Sequence, residues 1–134
     1  MKLKLVMLVS MFALGLAFSA NAGSVTDTDS DLVPDSFDNC SSAANGPNQS
    51  PNNQIDTDVD GYGNWCDVDY NNDGLQDGGD FGLFVANFNT TSALHDANGD
   101  GLVDGADFGR FVALFNSVPG PSGLGCAGTV PCVP

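Results

Sequence analysis

All seventeen acidic residues of this 134-residue chain are aspartates, and each one falls on a twelve-residue register. The registers occupy residues 27–38, 56–67, 69–80 and 96–107. A solvated acidic surface normally mixes Asp with Glu. Asp alone, at fixed offsets, points to short carboxylates held by a turning backbone. The last two registers also belong to a longer repeat: "DYNNDGLQDGGDFGLFVANFN" at 69–89 returns as "DANGDGLVDGADFGRFVALFN" at 96–116.

Oxygen ligands at positions 1, 3, 5, 9 and 12, a carbonyl at position 7 and a glycine at position 6 describe a calcium loop. The 69–80 register supplies Asp69, Asn71, Asp73, Gly74, Leu75, Asp77 and Asp80 in those places. The 96–107 register supplies Asp96, Asn98, Asp100, Gly101, Leu102, Asp104 and Asp107. The 56–67 register has Asp56, Asp58, Asp60, Gly61, Tyr62, Asn64 and Asp67, with an amide at position 9. The 27–38 register has Asp27, Asp29, Asp31, Val33, Asp35 and Asp38, with Leu32 where the glycine belongs. Crowded carboxylates repel until a hard cation joins them, so two to four calcium ions are expected. The short Asp at position 12 implies extracellular-grade affinity, roughly 10⁻⁶ to 10⁻³ M.

The last two loops run into helices. Phe81, Phe84, Val85 and Phe88, then Phe108, Phe111, Val112 and Phe115, follow the i, i+3, i+4, i+7 spacing of one helix face. Each predicted helix has roughly ten residues and is marginal alone. Two can bury their phenylalanines against each other, and all of these are expected in the core. No helical pattern precedes Asp69. Residues 69–116 therefore resemble a dockerin domain, a duplicated calcium loop with one exiting helix per repeat. That resemblance implies an all-α pair and a secreted or surface protein partner of the cohesin kind. Loop positions 10 and 11, where dockerins often carry Ser or Thr, hold Gly78-Gly79 and Gly105-Ala106.

The preceding stretch, "DTDSDLVPDSFDNC", then Asn45, Asn48 and Gln49, then "DTDVDGYGNWCD", resembles a thrombospondin type 3 repeat. Leu32 departs from its usual Gly and Asn64 from its usual Asp. The resemblance implies irregular backbone wrapped around calcium and a link between Cys40 and Cys66. Metal and disulfide then replace a hydrophobic core. The expected fold class is a small calcium- and disulfide-stabilised protein: an irregular segment at 23–67, an all-α dockerin-like pair at 68–117, and a tail at 118–134.

The remaining residues set the compartment. Lys2 and Lys4, the apolar run from Leu5 to Phe18 and Ala20-Asn21-Ala22 form an expected signal peptide, residues 1–22. The run is short for a membrane span. Beyond it, Arg110 is the one base against seventeen acids, which makes nucleic acid an unsuitable partner. Secretion favours two disulfides among Cys40, Cys66, Cys126 and Cys132; of the three pairings, near neighbours are expected to join. The Pro/Gly-rich tail is expected to be disordered, with its bridge redundant. His95 is the lone His, no nucleophile–base set is present, and the chain is expected not to be an enzyme. The expected function is protein assembly or adhesion through the outer helix surface around Arg110. The alternatives are a structural spacer and, less favoured, sugar binding on Trp65 and Tyr62.

Overall fold

The computed structural model describes residues 25–133. The expected signal peptide lies outside the described residues. Regular structure within them is helical and short. Two 3-10 turns, Asp35–Phe37 and Pro47–Gln49, punctuate an otherwise irregular first half. Two α-helices follow, α1 at Gly78–Asn87 and α2 at Gly105–Leu114.

Each helix starts where the loop chemistry predicts. Asp77 accepts a hydrogen bond from the Gly79 N–H at 2.7 Å, and Asp80 accepts one from the Asp77 N–H at 2.8 Å. Asp104 and Asp107 do the same for α2, with Ala106 and Asp104 as donors. These capping boxes satisfy N–H groups that a helix start leaves unpaired. The loop aspartates are thus also the helix initiators.

Each helix stops two residues before an Asn in left-handed conformation: Asn89 has φ 62° and Asn116 has φ 64°. Asn tolerates that region better than most residues. The turn then sends the chain to the other repeat. Asn89 N–H donates to the Val103 carbonyl, and Val103 N–H donates to the Thr90 carbonyl. Asn116 N–H donates to the Gln76 carbonyl, and Gln76 N–H donates to the Ser117 carbonyl. Val103 and Gln76 occupy the same position, the eighth, of their loops. Each helix end therefore clamps the opposite loop, and the exchange is reciprocal.

The core is smaller than the apolar periodicity suggests. Phe84 and Phe111 are each 1% exposed, and their rings stack with centroids 5.6 Å apart. Val68, Tyr70 and Val103 complete the buried cluster, with Leu94 and Leu114 at its edge. The other six residues of the two apolar stripes are between 42% and 56% exposed: Phe81, Val85, Phe88, Phe108, Val112 and Phe115. The expectation that both stripes would be buried is corrected here. Two ten-residue helices offer each other one phenylalanine apiece, and chain from the loops fills the rest of the space.

The two halves are joined by packing. Arg110 lies with its guanidinium carbon 4.5 Å from the Trp65 ring centre and donates to the Trp65 carbonyl. It is not a free outer-face residue, as expected from sequence, but a tie from α2 to the irregular segment. The Asn64 amide reaches the Ala93 carbonyl in the linker between the repeats.

Disulfides join Cys40 to Cys66 and Cys126 to Cys132, the near-neighbour pairing. The segment after α2 is not a loose tail. Its backbone donates from Gly120 to Cys66, Gly123 to Asp38, Gly128 to Asp60 and Cys132 to Val59, and Pro121 accepts from Ser41. Residues 117–132 form a strap across the irregular segment. Backbone donors and acceptors, which an apolar-pattern reading does not weigh, place it there.

Substitution by alanine separates core from rim. Phe84→Ala is expected to lower stability by about 3–5 kcal/mol, and Phe88→Ala by less than about 1.5 kcal/mol. Urea unfolding of both variants in saturating calcium checks this. Equal losses contradict the assignment of one buried phenylalanine per helix.

Candidate metal centres

All four aspartate registers fold into the same local shape. The backbone is left-handed at the fourth and sixth positions of each: Ser30 (63°) and Leu32 (80°), Val59 (62°) and Gly61 (92°), Asn72 (56°) and Gly74 (88°), Gly99 (73°) and Gly101 (97°). Leu32 therefore does not break its loop. It is strained by about 1 kcal/mol and 64% exposed, so its side chain meets no obstacle.

The first carboxylate organises each turn. Asp69 accepts from the Asp73 and Gly74 N–H groups, and Asp96 accepts from Gly99, Asp100 and Gly101. Asp56 accepts from Val59 and Gly61, and Asp27 from Asp31 and Leu32. The fifth-position residue accepts from the seventh in every loop: Asp31 from Val33, Asp60 from Tyr62, Asp73 from Leu75 and Asp100 from Leu102. Asn71 and Asn98 accept from Asp73 and Asp100.

The loops divide at positions nine and twelve. In the helical repeats, Asp77 and Asp104 cap the helices. Asp80 and Asp107 accept from Asn71 and Asn98 at position three. Without an exit helix, the first two loops close differently. Asp35 accepts from Thr28 N–H and Oγ1, both at 2.7 Å, and Asn64 accepts from Thr57 N–H at 2.9 Å. Asp38 and Asp67 are held by the N–H two residues on, from Cys40 and Asp69.

Two aspartate triads, Asp27–Asp29–Asp31 and Asp56–Asp58–Asp60, place carboxylate oxygens within 4.8 Å of one another and can hold a metal ion. Both Asp29 oxygens are buried and receive no hydrogen bond, and Asp38 has one such oxygen. Buried carboxylate oxygens without donors are costly, and a cation between them fits the need. The four twelfth-position aspartates are all buried. Burial raises each of their pKa values, against the lowering effect of the N–H bonds they accept. Asp67 is pushed up to about 8, by burial first and then by Asp60, Asp58 and Asp69. Asp60 is pushed up to about 6, again chiefly by burial. Asp80 feels Asp69 and Asp73, and Asp107 feels Asp96 and Asp100, so the expected ligands of each helical repeat converge.

Other donor types are engaged elsewhere. The cysteines are paired. His95 is buried against Tyr70, ring centres 4.3 Å apart, with Ser92 Oγ 2.8 Å from its Nδ1. Burial lowers its pKa. It is a packed core histidine. Arg110 covers one face of Trp65, and Tyr62 lies against Gly120 of the strap, so neither ring is a free stacking platform.

Sequence reading missed the polar hub of the first half. Gln54 donates to Asp38 at 2.7 Å and to Asn45 at 2.6 Å, and accepts from Asn39 N–H. Asn45 is fully buried and its N–H donates to Asp31. Gln54 thus ties Asp38 of the first loop to Asn39 and Asn45, and the Asn39 carbonyl accepts from the Gly63 N–H of the second loop. Gln49 sits in the second 3-10 turn with Oε1 unpartnered. Gln76 is the second omission. It is fully buried, accepts from Val68 N–H and donates to Ser117 Oγ and the Val118 carbonyl. The one signal for it was a polar residue at a loop position that holds Val in the other repeat.

The family model for the thrombospondin type 3 repeat matches residues 26–48 and 55–89. The second match runs through the 69–80 loop and α1. No curated protein and no solved structure matches the chain. The matched repeat is a non-catalytic structural module, consistent with a chain that is not an enzyme. No helix among the described residues is long and apolar enough to cross a membrane.

The raised aspartates set a pH dependence. A carboxyl raised in the fold binds protons that the unfolded chain has already lost. The stability it contributes is full below about pH 4 and is lost as pH rises through about 8 for Asp67. In chelator, the urea midpoint is therefore expected to be higher at pH 5 than at pH 8. Asp67→Asn is expected to flatten that slope. A midpoint that rises with pH contradicts the burial assigned to Asp67.

Proposed function

We propose that the chain is a secreted calcium-binding module that joins one protein to another. The calcium reading is carried by the Asp29 carboxylate, whose two buried oxygens have no donor inside the protein. The donor set around it is all oxygen, which selects a hard cation.

One ion per loop is the full complement. Asp27, Asp29, Asp31, the Val33 carbonyl, Asp35 and Asp38 would hold the first. Asp56, Asp58, Asp60, the Tyr62 carbonyl, Asn64 and Asp67 would hold the second. Asp69, Asn71, Asp73, the Leu75 carbonyl, Asp77 and Asp80 would hold the third. Asp96, Asn98, Asp100, the Leu102 carbonyl, Asp104 and Asp107 would hold the fourth. A bound ion supplies the positive charge that lets the buried carboxylates stay ionised at neutral pH.

The assembly reading rests on the helix pair, which we take as dockerin-like. Phe81, Phe108, Phe111, Val112 and Phe115 line one open apolar groove of about 350 Å³. Phe81, Phe84, Val85, Phe88 and Phe108 line a second. Together they form an exposed face without a charged side chain on an otherwise acidic protein. Such a patch marks an interaction site. Gly78-Gly79 and Gly105-Ala106 leave positions 10 and 11 without side-chain hydrogen bonds, so the contact would be apolar rather than the Ser/Thr type. The fitting partner is a secreted or surface protein with an apolar, cohesin-like face.

A structural spacer is the second reading, and the strap favours it by tying the halves together. Pull-down from the producer's secreted and surface fractions distinguishes the two. Oxidised residues 23–134 are expected to capture one protein in calcium and none in chelator. Phe81→Ser with Phe108→Ser is expected to abolish capture while calcium titration stays unchanged. Empty lanes with calcium-folded bait favour the spacer. Capture unaffected by the double variant moves the interface elsewhere.

A further inference from the structure

In the 56–67 loop alone, the strap meets the turn at positions four to six. Gly128 N–H donates to the Asp60 carbonyl at 2.8 Å, Cys132 N–H to Val59 at 2.6 Å and Gly120 N–H to Cys66 at 3.0 Å. Val59 and Asp60 are the fourth and fifth residues of that loop, the turn that carries its ligands. A Cβ on Gly61, at the sixth position, would lie 2.6 Å from Cys132 Sγ and 2.9 Å from Ala127 Cα. At the same position of the helical repeats, Gly74 and Gly101 face open space. Leu32 of the first loop is exposed. The strap's contacts to the 27–38 and 69–80 loops fall outside that turn, at Asp35, Asp38 and Gln76.

The Cys126–Cys132 bridge has a place in this contact. It closes a ring that contains Gly128 and ends at Cys132, so two of the three donors are held in one small unit. Cys132 itself is buried. The upstream end of the strap is pinned separately, by Gly123 N–H to the Asp38 carbonyl and by Ser41 N–H to Pro121. Val118, Pro119, Gly128 and Val130 of the strap also wall a cavity of about 240 Å³ whose opposite side carries Asp60 and Asp69.

We propose that the C-terminal strap is the positioning element of the 56–67 metal loop, with the Cys126–Cys132 ring holding the ligand-bearing turn in its bound shape. The proposal rests on the calcium reading above. Without the ring, the Val59 and Asp60 carbonyls turn to water and the turn frays. Ion binding then has to order it, and affinity at that loop falls. The 96–107 loop, which the strap does not touch, keeps its affinity.

The test is a calcium titration of the full chain followed by amide resonances, with Gly61 reporting the 56–67 loop and Gly101 the 96–107 loop. In Cys126→Ser with Cys132→Ser, the half-saturation point at Gly61 is expected to rise about fivefold, the weight of one lost hydrogen bond. Gly101 is expected to move less than about twofold, since its loop has no strap contact. Gly128→Ala keeps the bridge but places a side chain at φ 84°, and the same selective loss is expected. Equal weakening at both loops, or none at Gly61, overturns the proposal. Amide exchange of the wild-type protein in chelator provides a metal-free reading. Gly128 and Cys132 are expected to be protected, and exchange at the rate of free chain overturns the proposal. If neither Gly61 nor Gly101 responds to calcium in the wild type, the calcium reading itself fails, and the exchange result still judges the strap.

Discussion

Like charges crowded into small loops repel, and this chain sets three basic side chains against seventeen aspartates. The described base, Arg110, is spent on Trp65 rather than on any carboxylate. Backbone N–H groups answer part of the charge. Each loop aims several of them at its first aspartate. They do not reach everything: Asp29 is left with two bare buried oxygens, and all four twelfth-position aspartates are held in burial that raises their pKa values. The fold is built around charge that wants a cation, and the remaining architecture keeps those carboxylates in place.

Three devices do so. In the helical repeats, the position-nine and position-twelve aspartates double as helix caps, so loop and helix form as one unit. The helix ends cross over, through Asn89 to Val103 and Asn116 to Gln76, so neither repeat is complete without the other. In the irregular half, Gln54 holds Asp38 and Asn45, Asn39 receives the Gly63 N–H of the second loop, the Cys40–Cys66 bridge closes the segment, and the strap buttresses it. The hydrophobic core beneath all this is a handful of residues, in keeping with a small domain that draws part of its stability from disulfides.

Much of this was legible in the residues. The registers place the loops correctly, down to the glycine turns, because twelve-residue spacing of Asp encodes backbone shape directly. The helices begin at the predicted aspartates because capping is local chemistry. The phenylalanine stripes mislead: periodicity shows which residues share a face, not whether a partner is large enough to cover it. Phe84 and Phe111 are covered and Phe88 and Phe115 are not. Gln76, Gln54 and the strap escape a sequence reading because they act through long-range hydrogen bonds, which leave no pattern along the chain. Leu32 looked like a broken loop, yet an exposed side chain lets the backbone keep its left-handed turn at modest cost.

The central claim is that cations complete this fold. The measurement that addresses it most directly is calcium stoichiometry by native mass spectrometry of the oxidised chain, residues 23–134, paired with its amide spectrum in chelator and in calcium. The account predicts up to four bound ions, one per loop, with the loop amides ordering and shifting as they bind. A protein that retains no calcium, or whose loop amides are the same in chelator and in calcium, would contradict it.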